Sequence, residues 1–154
     1  MKKLGSVLST LLIGMLAPSA SAAHTHLPPN STWKLNEARS DFGGGPSMAD
    51  QFTVVTDTDS WFAYTEVVTD STGKVSKFAW SGPHDGTLRA VEGLPDTMVG
   101  FNVADNTAHM ESPNSFLRVT IELSADGRTR TEHAIVRLKN GKVYHETWVY
   151  DRIQ

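Results

Sequence analysis

The stretch EHAIVRLKNGKVYHETWVY, Glu132 to Tyr150, reads as two β-strands joined by a tight turn at Asn140-Gly141. Asn-Gly is the pair that best tolerates the positive φ angles of a short hairpin loop, and the flanking residues are rich in β-branched and aromatic types. What sets the stretch apart is the set of ionisable side chains, His133, Arg137 and Glu146, spaced among residues suited to a core.

Upstream, the same punctuation repeats. DSTGK at Asp70 to Lys74 and SADGR at Ser124 to Arg128 are further hairpin turns, and no apolar stripe at helical spacing occurs after the first residues. Strands are expected near Thr32 to Leu35, Gln51 to Thr56, Trp61 to Thr69, Lys74 to Trp80 and Thr87 to Val91. Five more are expected near Thr97 to Val103, Thr107 to Met110, Phe116 to Leu123, Thr129 to Leu138 and Lys142 to Asp151. The class is all-β: an antiparallel meander of about eight to ten strands that closes into a lipocalin-like barrel, closure removing exposed edges, with a sandwich as the competing solution.

Turn length sets register. A two-residue turn at Asn140-Gly141 places Val136 opposite His145, Ile135 opposite Glu146 and His133 opposite Trp148. A three-residue loop at Ala125 to Gly127 places Glu122 opposite Arg130, Val119 opposite His133 and Leu117 opposite Ile135. One face then carries Arg118, Thr120, Glu122, Arg130, Glu132, His145 and Asp151. The other carries Leu117, Val119, Ile121, Leu123, Ile135, Tyr144, Trp148 and Tyr150, and is read as the interior. His133, Arg137 and Glu146 fall on that interior face; a bulge in either hairpin would reverse the parity and bring His145 inside instead.

The DSTGK hairpin pairs Tyr64 with Trp80, Glu66 with Phe78 and Val68 with Ser76. Aromatic walls with a few convergent polar groups describe a small-molecule pocket if the barrel is hollow. The candidate ligand-binding residues are therefore Tyr64, Glu66, Trp80, His133, Arg137, Tyr144, Glu146 and Trp148.

The chain has 154 residues and begins with Lys2 and Lys3, an apolar run from Leu4 to Leu16 and the small residues SASAA. That order is the pattern of a secretory signal, expected to span residues 1–22 with cleavage after Ala22 or Ala23. A flexible leader over residues 23–30 and a single barrel domain over residues 31–154 follow, in the bacterial periplasm or outside the cell. Cysteine is absent, so neither a lipid-anchored cysteine nor a disulfide framework is available. Loss of Lys2 and Lys3 takes Lys+Arg from 14 to 12 against 17 Asp+Glu, and the formal charge from -3 to -5. That balance disfavours nucleic acid and anionic membrane surfaces, and no stable membrane insertion is expected; a neutral, apolar or cationic small molecule fits better.

The segments STWKLNEARSDFGGGP, TDSTGKVSKFAWSG, SADGRTRT and VYDR resemble small exported bacterial proteins with a lipocalin-like, or calycin-like, β-barrel. The resemblance implies a barrel open at one end that holds an apolar ligand, and it brings no catalytic residue. In lipocalins proper a G-x-W packs its tryptophan under a late basic residue; Trp33 matches, Arg152 stands in the basic position, and Ser31 replaces the usual glycine.

Motifs for catalysis are missing: there is no H-E-x-x-H, G-x-S-x-G or P-loop. FGGGP at Phe42 to Pro46 reads as a flexible loop. No cofactor is expected, and His24 and His26 near a new amino terminus are the sole candidate metal ligands. Binding of a small, mostly apolar molecule is the leading reading. The alternatives are a barrel isomerase or hydrolase with His133 and Glu146 as catalytic base and orienter, and a filled barrel acting as an envelope interaction module.

Overall fold

The computed structural model describes residues 26–154. Ten strands form one antiparallel sheet: β1 Thr32–Leu35, β2 Ala49–Asp57, β3 Trp61–Thr69, β4 Val75–Pro83, β5 Arg89–Val91, β6 Leu94–Asn102, β7 Thr107–Glu111, β8 Ser115–Leu123, β9 Thr129–Leu138 and β10 Val143–Arg152. Their order is β4-β3-β2-β1-β10-β9-β8-β7-β6-β5, an up-and-down meander apart from the β1–β10 pairing that joins the two ends of the chain. A single 3-10 turn, Glu37–Arg39, is the only helical element among the described residues.

The sheet curls into a nearly closed barrel whose seam lies between β4 and the β5–β6 hairpin. Across it Ala79 and Glu92 exchange backbone hydrogen bonds of 3.0 and 2.9 Å. Trp80 on β4 reaches over the seam, its indole Nε1 donating to the Val99 carbonyl on β6 at 3.0 Å. This all-β barrel is consistent with the lipocalin-like fold expected from the sequence.

One end of the barrel is plugged. Trp33 is fully buried and lies nearly parallel to Phe52, with ring centroids 6.3 Å apart. Its Nε1 donates to Ser31 Oγ at 2.9 Å, so the serine that replaces glycine supplies the acceptor a buried indole requires. Arg152 pairs with Trp33 in register but is exposed, and its Nε donates to the Gln154 carbonyl. The guanidinium that covers the aromatic stack is instead that of Arg130, 4.8 Å from the centre of the Phe52 ring.

The described part of the leader, residues 26–30, packs onto this plugged end rather than trailing free. Leu27 is buried, and its N–H donates to Asp57 Oδ2 at 2.7 Å. His26 bridges Asp57 at 3.1 Å and Asp59 at 2.8 Å. An irregularity in the β2–β3 register between Val54 and Thr56 leaves Val55 exposed and gives Asp57 its inward position. The signal region and His24 lie outside the described residues.

At the opposite end the FGGGP loop is docked, not loose. Asp41 and Thr147 exchange backbone hydrogen bonds of 2.8 and 2.7 Å, pinning the loop to β10. A Cβ on Gly43 would collide with the His145 carbonyl oxygen, and one on Gly45 would stand 2.7 Å from Glu146 Oε1. The glycines permit close backbone approach to a strand.

Candidate functional site

The positions of the site residues on β9 follow from two turns that are each one residue longer than the sequence suggests. At the β9–β10 turn, Leu138 N–H donates to Lys142 O at 2.8 Å and Gly141 N–H to Leu138 O at 2.9 Å. The loop is therefore Lys139-Asn140-Gly141, with Gly141 at φ +90. At the β8–β9 turn, Ser124 N–H donates to Thr129 O, enclosing four residues, Ala125 to Arg128. Asp126 Oδ1 accepts from the Ser124 hydroxyl and the Arg128 N–H, which stabilises the longer loop.

Both corrections act on β9. Observed pairs are Trp148 with Glu132, Tyr150 with Arg130 and Glu146 with Ala134 on one side, and Ile121 with Glu132 and Leu123 with Arg130 on the other. Strands β8 and β10 keep the faces expected of them, while β9 is turned over. Arg130, Glu132, Ala134 and Val136 point inward; His133, Ile135 and Arg137 point outward. The expected interior placement of His133 and Arg137 is thus corrected, as is the exterior placement of Arg130 and Glu132. His145 stays outside, because β10 did not change parity.

Of the eight candidate ligand residues, Tyr64, Glu66, Trp80 and Trp148 line an internal cavity of about 320 Å³. The β3–β4 register that brings three of them together is the expected one, with Tyr64 opposite Trp80, Glu66 opposite Phe78 and Val68 opposite Ser76. His133 is half exposed and approaches Glu122 only at 4.0 Å on the outer surface. Arg137 is exposed beside Val143. Tyr144 and Glu146 sit under the docked loop beside Gly45 and do not line the cavity. Glu146 has a supporting part: its Oε2 accepts from Trp148 Nε1 at 2.7 Å, which fixes the indole that forms the cavity wall. Burial pushes the Glu146 carboxyl up, and the Trp148 hydrogen bond opposes that. His133 and Glu146 lie on opposite faces of the sheet, so they cannot act as base and orienter.

The cavity walls carry many rings, among them Phe52, Phe62, Phe78 and Phe101 beside Tyr64 and Trp80. Phe62 and Phe101 reach across the barrel to within 5.2 Å, forming a floor above the plug. Partly buried Met48, Val68, Leu94, Met110 and Leu117 line it further up, close to the hairpin turns of the other end.

Set into this apolar wall is a polar cluster that the sequence reading missed in part: Asp50 on β2, Glu66 on β3, Arg130 and Glu132 on β9, and Tyr150 on β10. Tyr150 donates its hydroxyl to Asp50 Oδ2 at 2.6 Å. Arg130 and Glu132 form a buried ion pair at 2.7 Å. Asp50 and Glu66 are hydrogen-bonding neighbours, which for two carboxyls requires a proton between them. With both ionised, Asp50 Oδ1 has no donor facing it, and Arg130 Nε likewise lacks a partner.

Charge and burial explain the electrostatics. Three carboxyls share one guanidinium in a low-dielectric interior, so the neutral acid is favoured. Burial, then the Asp50 charge, raises the Glu66 carboxyl well above its usual range. Burial raises Asp50 too, opposed by hydrogen bonds from Tyr150 and Glu66. Glu132 is raised by burial and held back by Arg130. The phenols of Tyr64 and Tyr150 are pushed well up, first by burial. Asp50 is the residue that sequence patterning had the means to find, since it alternates with Phe52 and Val54 on an inward face.

Among the described residues no group of three or more His, Asp or Glu is arranged to hold a metal ion, and His26 is engaged by Asp57 and Asp59. No described helix is long and apolar enough to cross a membrane. No protein-family model matches the chain, and no curated protein matches it.

Proposed function

We propose that this protein is a small-molecule-binding barrel that takes a compound with an apolar body and a polar head into its interior. The observation that carries the reading is the cavity itself: about 320 Å³ of space, walled by aromatic rings and holding buried polar atoms without partners. That volume is at the lower end of the range for ligand sites, and a few convergent polar groups in an apolar wall are what such sites use to orient a ligand. A barrel serving only as an outer surface would gain stability by filling this space, at roughly 24 cal/mol per Å³ of cavity removed. Export, read from Lys2 to Leu16, belongs to the same proposal: a carrier or scavenger outside the cytoplasm.

Trp80 and Trp148 report directly on the cavity. Titration of the mature protein with apolar fluorescent probes, and native mass spectrometry of protein from its own envelope, should show one occupant per barrel. Occupancy should fall when Ala108→Phe, at a position that lines the cavity, narrows it in a variant whose circular dichroism matches the parent. Binding that is indifferent to that obstruction would place the ligand elsewhere.

A further inference from the structure

The polar cluster narrows the chemistry of the head group. This step rests on the reading of the barrel as a small-molecule binder. We propose that the occupant is an amphiphilic amine, whose protonated nitrogen seats beside Asp50 and Glu66 while its apolar body lies against Phe62, Tyr64, Phe78 and Trp80.

Three features support it. The cluster is acid-rich, three carboxyls to one guanidinium, and Arg130 is paired with Glu132 at 2.7 Å, with its Nε left over. Asp50 and Glu66 are neighbouring carboxyls; the Tyr150 hydroxyl serves Asp50 Oδ2, and the Gln51 backbone also bonds to Asp50. Secondly, Asp50 is 5% exposed, lines the cavity and presents Oδ1 without a partner. An ammonium carries three donors and no acceptor, which suits two carboxylates with free lone pairs. Thirdly, Tyr64 and Trp80 stand on the same wall, two positions from Glu66 along β3 and directly opposite Tyr64 on β4. Ring faces attract cations and repel anions.

A carboxylate head would find the free Arg130 Nε–H but would face Asp50, Glu66 and Glu132 as well, three carboxyls against one guanidinium. The seat is also linked to proton exchange. Burial raises both the Asp50 and Glu66 carboxyls, and the Asp50 charge raises Glu66 further, which favours a protonated pair in the empty barrel; an arriving ammonium favours the ionised carboxylates, and the displaced proton leaves to solvent. Other groups facing the seat are Tyr64 on β3, Arg130 and Glu132 on β9 and Tyr150 on β10.

The test is calorimetric titration of the mature protein with 4-phenylbutylamine, 4-phenylbutanol and 4-phenylbutyrate, in two buffers of different ionisation enthalpy. The amine should bind about tenfold or more tighter than the alcohol near neutral pH, with about one proton released on binding. Glu66→Gln should cut that preference, with circular dichroism and a thermal melt of the variant as the folding control. Asp50→Asn is the second variant and should act alike. Equal binding of amine and alcohol overturns the amine inference and leaves the binding barrel standing. Preference for the carboxylate also overturns it and points to Arg130. Failure of all three to bind overturns both readings.

Discussion

Replacing Arg130 with methionine removes the single cation of the interior while keeping much of its volume. Arg130 and Glu132 are each about nine-tenths buried, and their 2.7 Å ion pair is the main opposition to the burial cost of Glu132. Breaking one side of such a pair costs about 3–5 kcal/mol, because a buried charge is left alone. Loss of the guanidinium from the face of Phe52, 4.8 Å away, adds roughly 0.5–1 kcal/mol. For a barrel of this size about 1 kcal/mol corresponds to roughly 3–4 °C, so R130M should melt about 10–24 °C lower near pH 8. The loss should be smaller near pH 5, where Glu132, freed from Arg130, takes up a proton and its charge disappears. The double variant R130M/E132L should recover most of the stability, since an apolar replacement of a whole buried pair is often neutral or better. Thermal melts at both pH values, with the double-mutant cycle, check this. An R130M loss that is the same at pH 5 and pH 8, or a double variant no better than the single, would refute the placement of this pair in the core.

Three further outcomes follow from the same geometry. Glu66 has a folded pKa raised above its unfolded value, so its contribution is fully present below the unfolded value of 4.5 and is lost as pH rises through the folded one. Empty protein should lose stability with rising pH in that window, and E66Q should flatten the profile and be the more stable protein near pH 8, as read from urea midpoints. Trp80→Phe removes the indole bond to the Val99 carbonyl across the seam and should cost about 1–3 kcal/mol, with hydrogen exchange accelerating first in β5 and β6. His133→Gln alters a half-exposed outer side chain and should change stability by less than about 0.5 kcal/mol and ligand affinity not at all; a large effect in either assay would return His133 to the site.

Most of the barrel was legible because its signals are local. DSTGK carries glycine at φ +85 in the turn and an aspartate whose Oδ1 accepts from the Thr72 and Lys74 N–H groups, so the β3–β4 register could be counted correctly from sequence. Strand limits moved where a neighbour extends pairing, β2 beginning at Ala49 opposite Thr69 and β4 continuing to Pro83 opposite Trp61, while β5 is shorter than expected and begins at Arg89 rather than Thr87. The docked FGGGP loop and the anchored Leu27 were not legible, because both depend on what the distant strands β10 and β2 present to them. Glycine runs permit mobility and close packing equally; only the surface beside them decides.

Strand β9 was misread for a reason that bears on function. In β8 and β10 one face is plainly more apolar, so alternation chooses the interior whatever the turn length. In β9 the faces are Arg130, Glu132, Ala134, Val136 against Thr131, His133, Ile135, Arg137, and neither is a core by composition. The choice then passed to the turns, where one extra residue on each side reverses the strand. The ambiguity arises because the inward face of β9 carries Arg130 and Glu132, which belong to a polar site and would be out of place in a filled core. A strand whose two faces cannot be ranked, between neighbours whose faces can, is therefore itself a pointer: where the interior holds a ligand-sized space with ionisable walls, the pattern that identifies a core is lost first on the strand that supplies the charges.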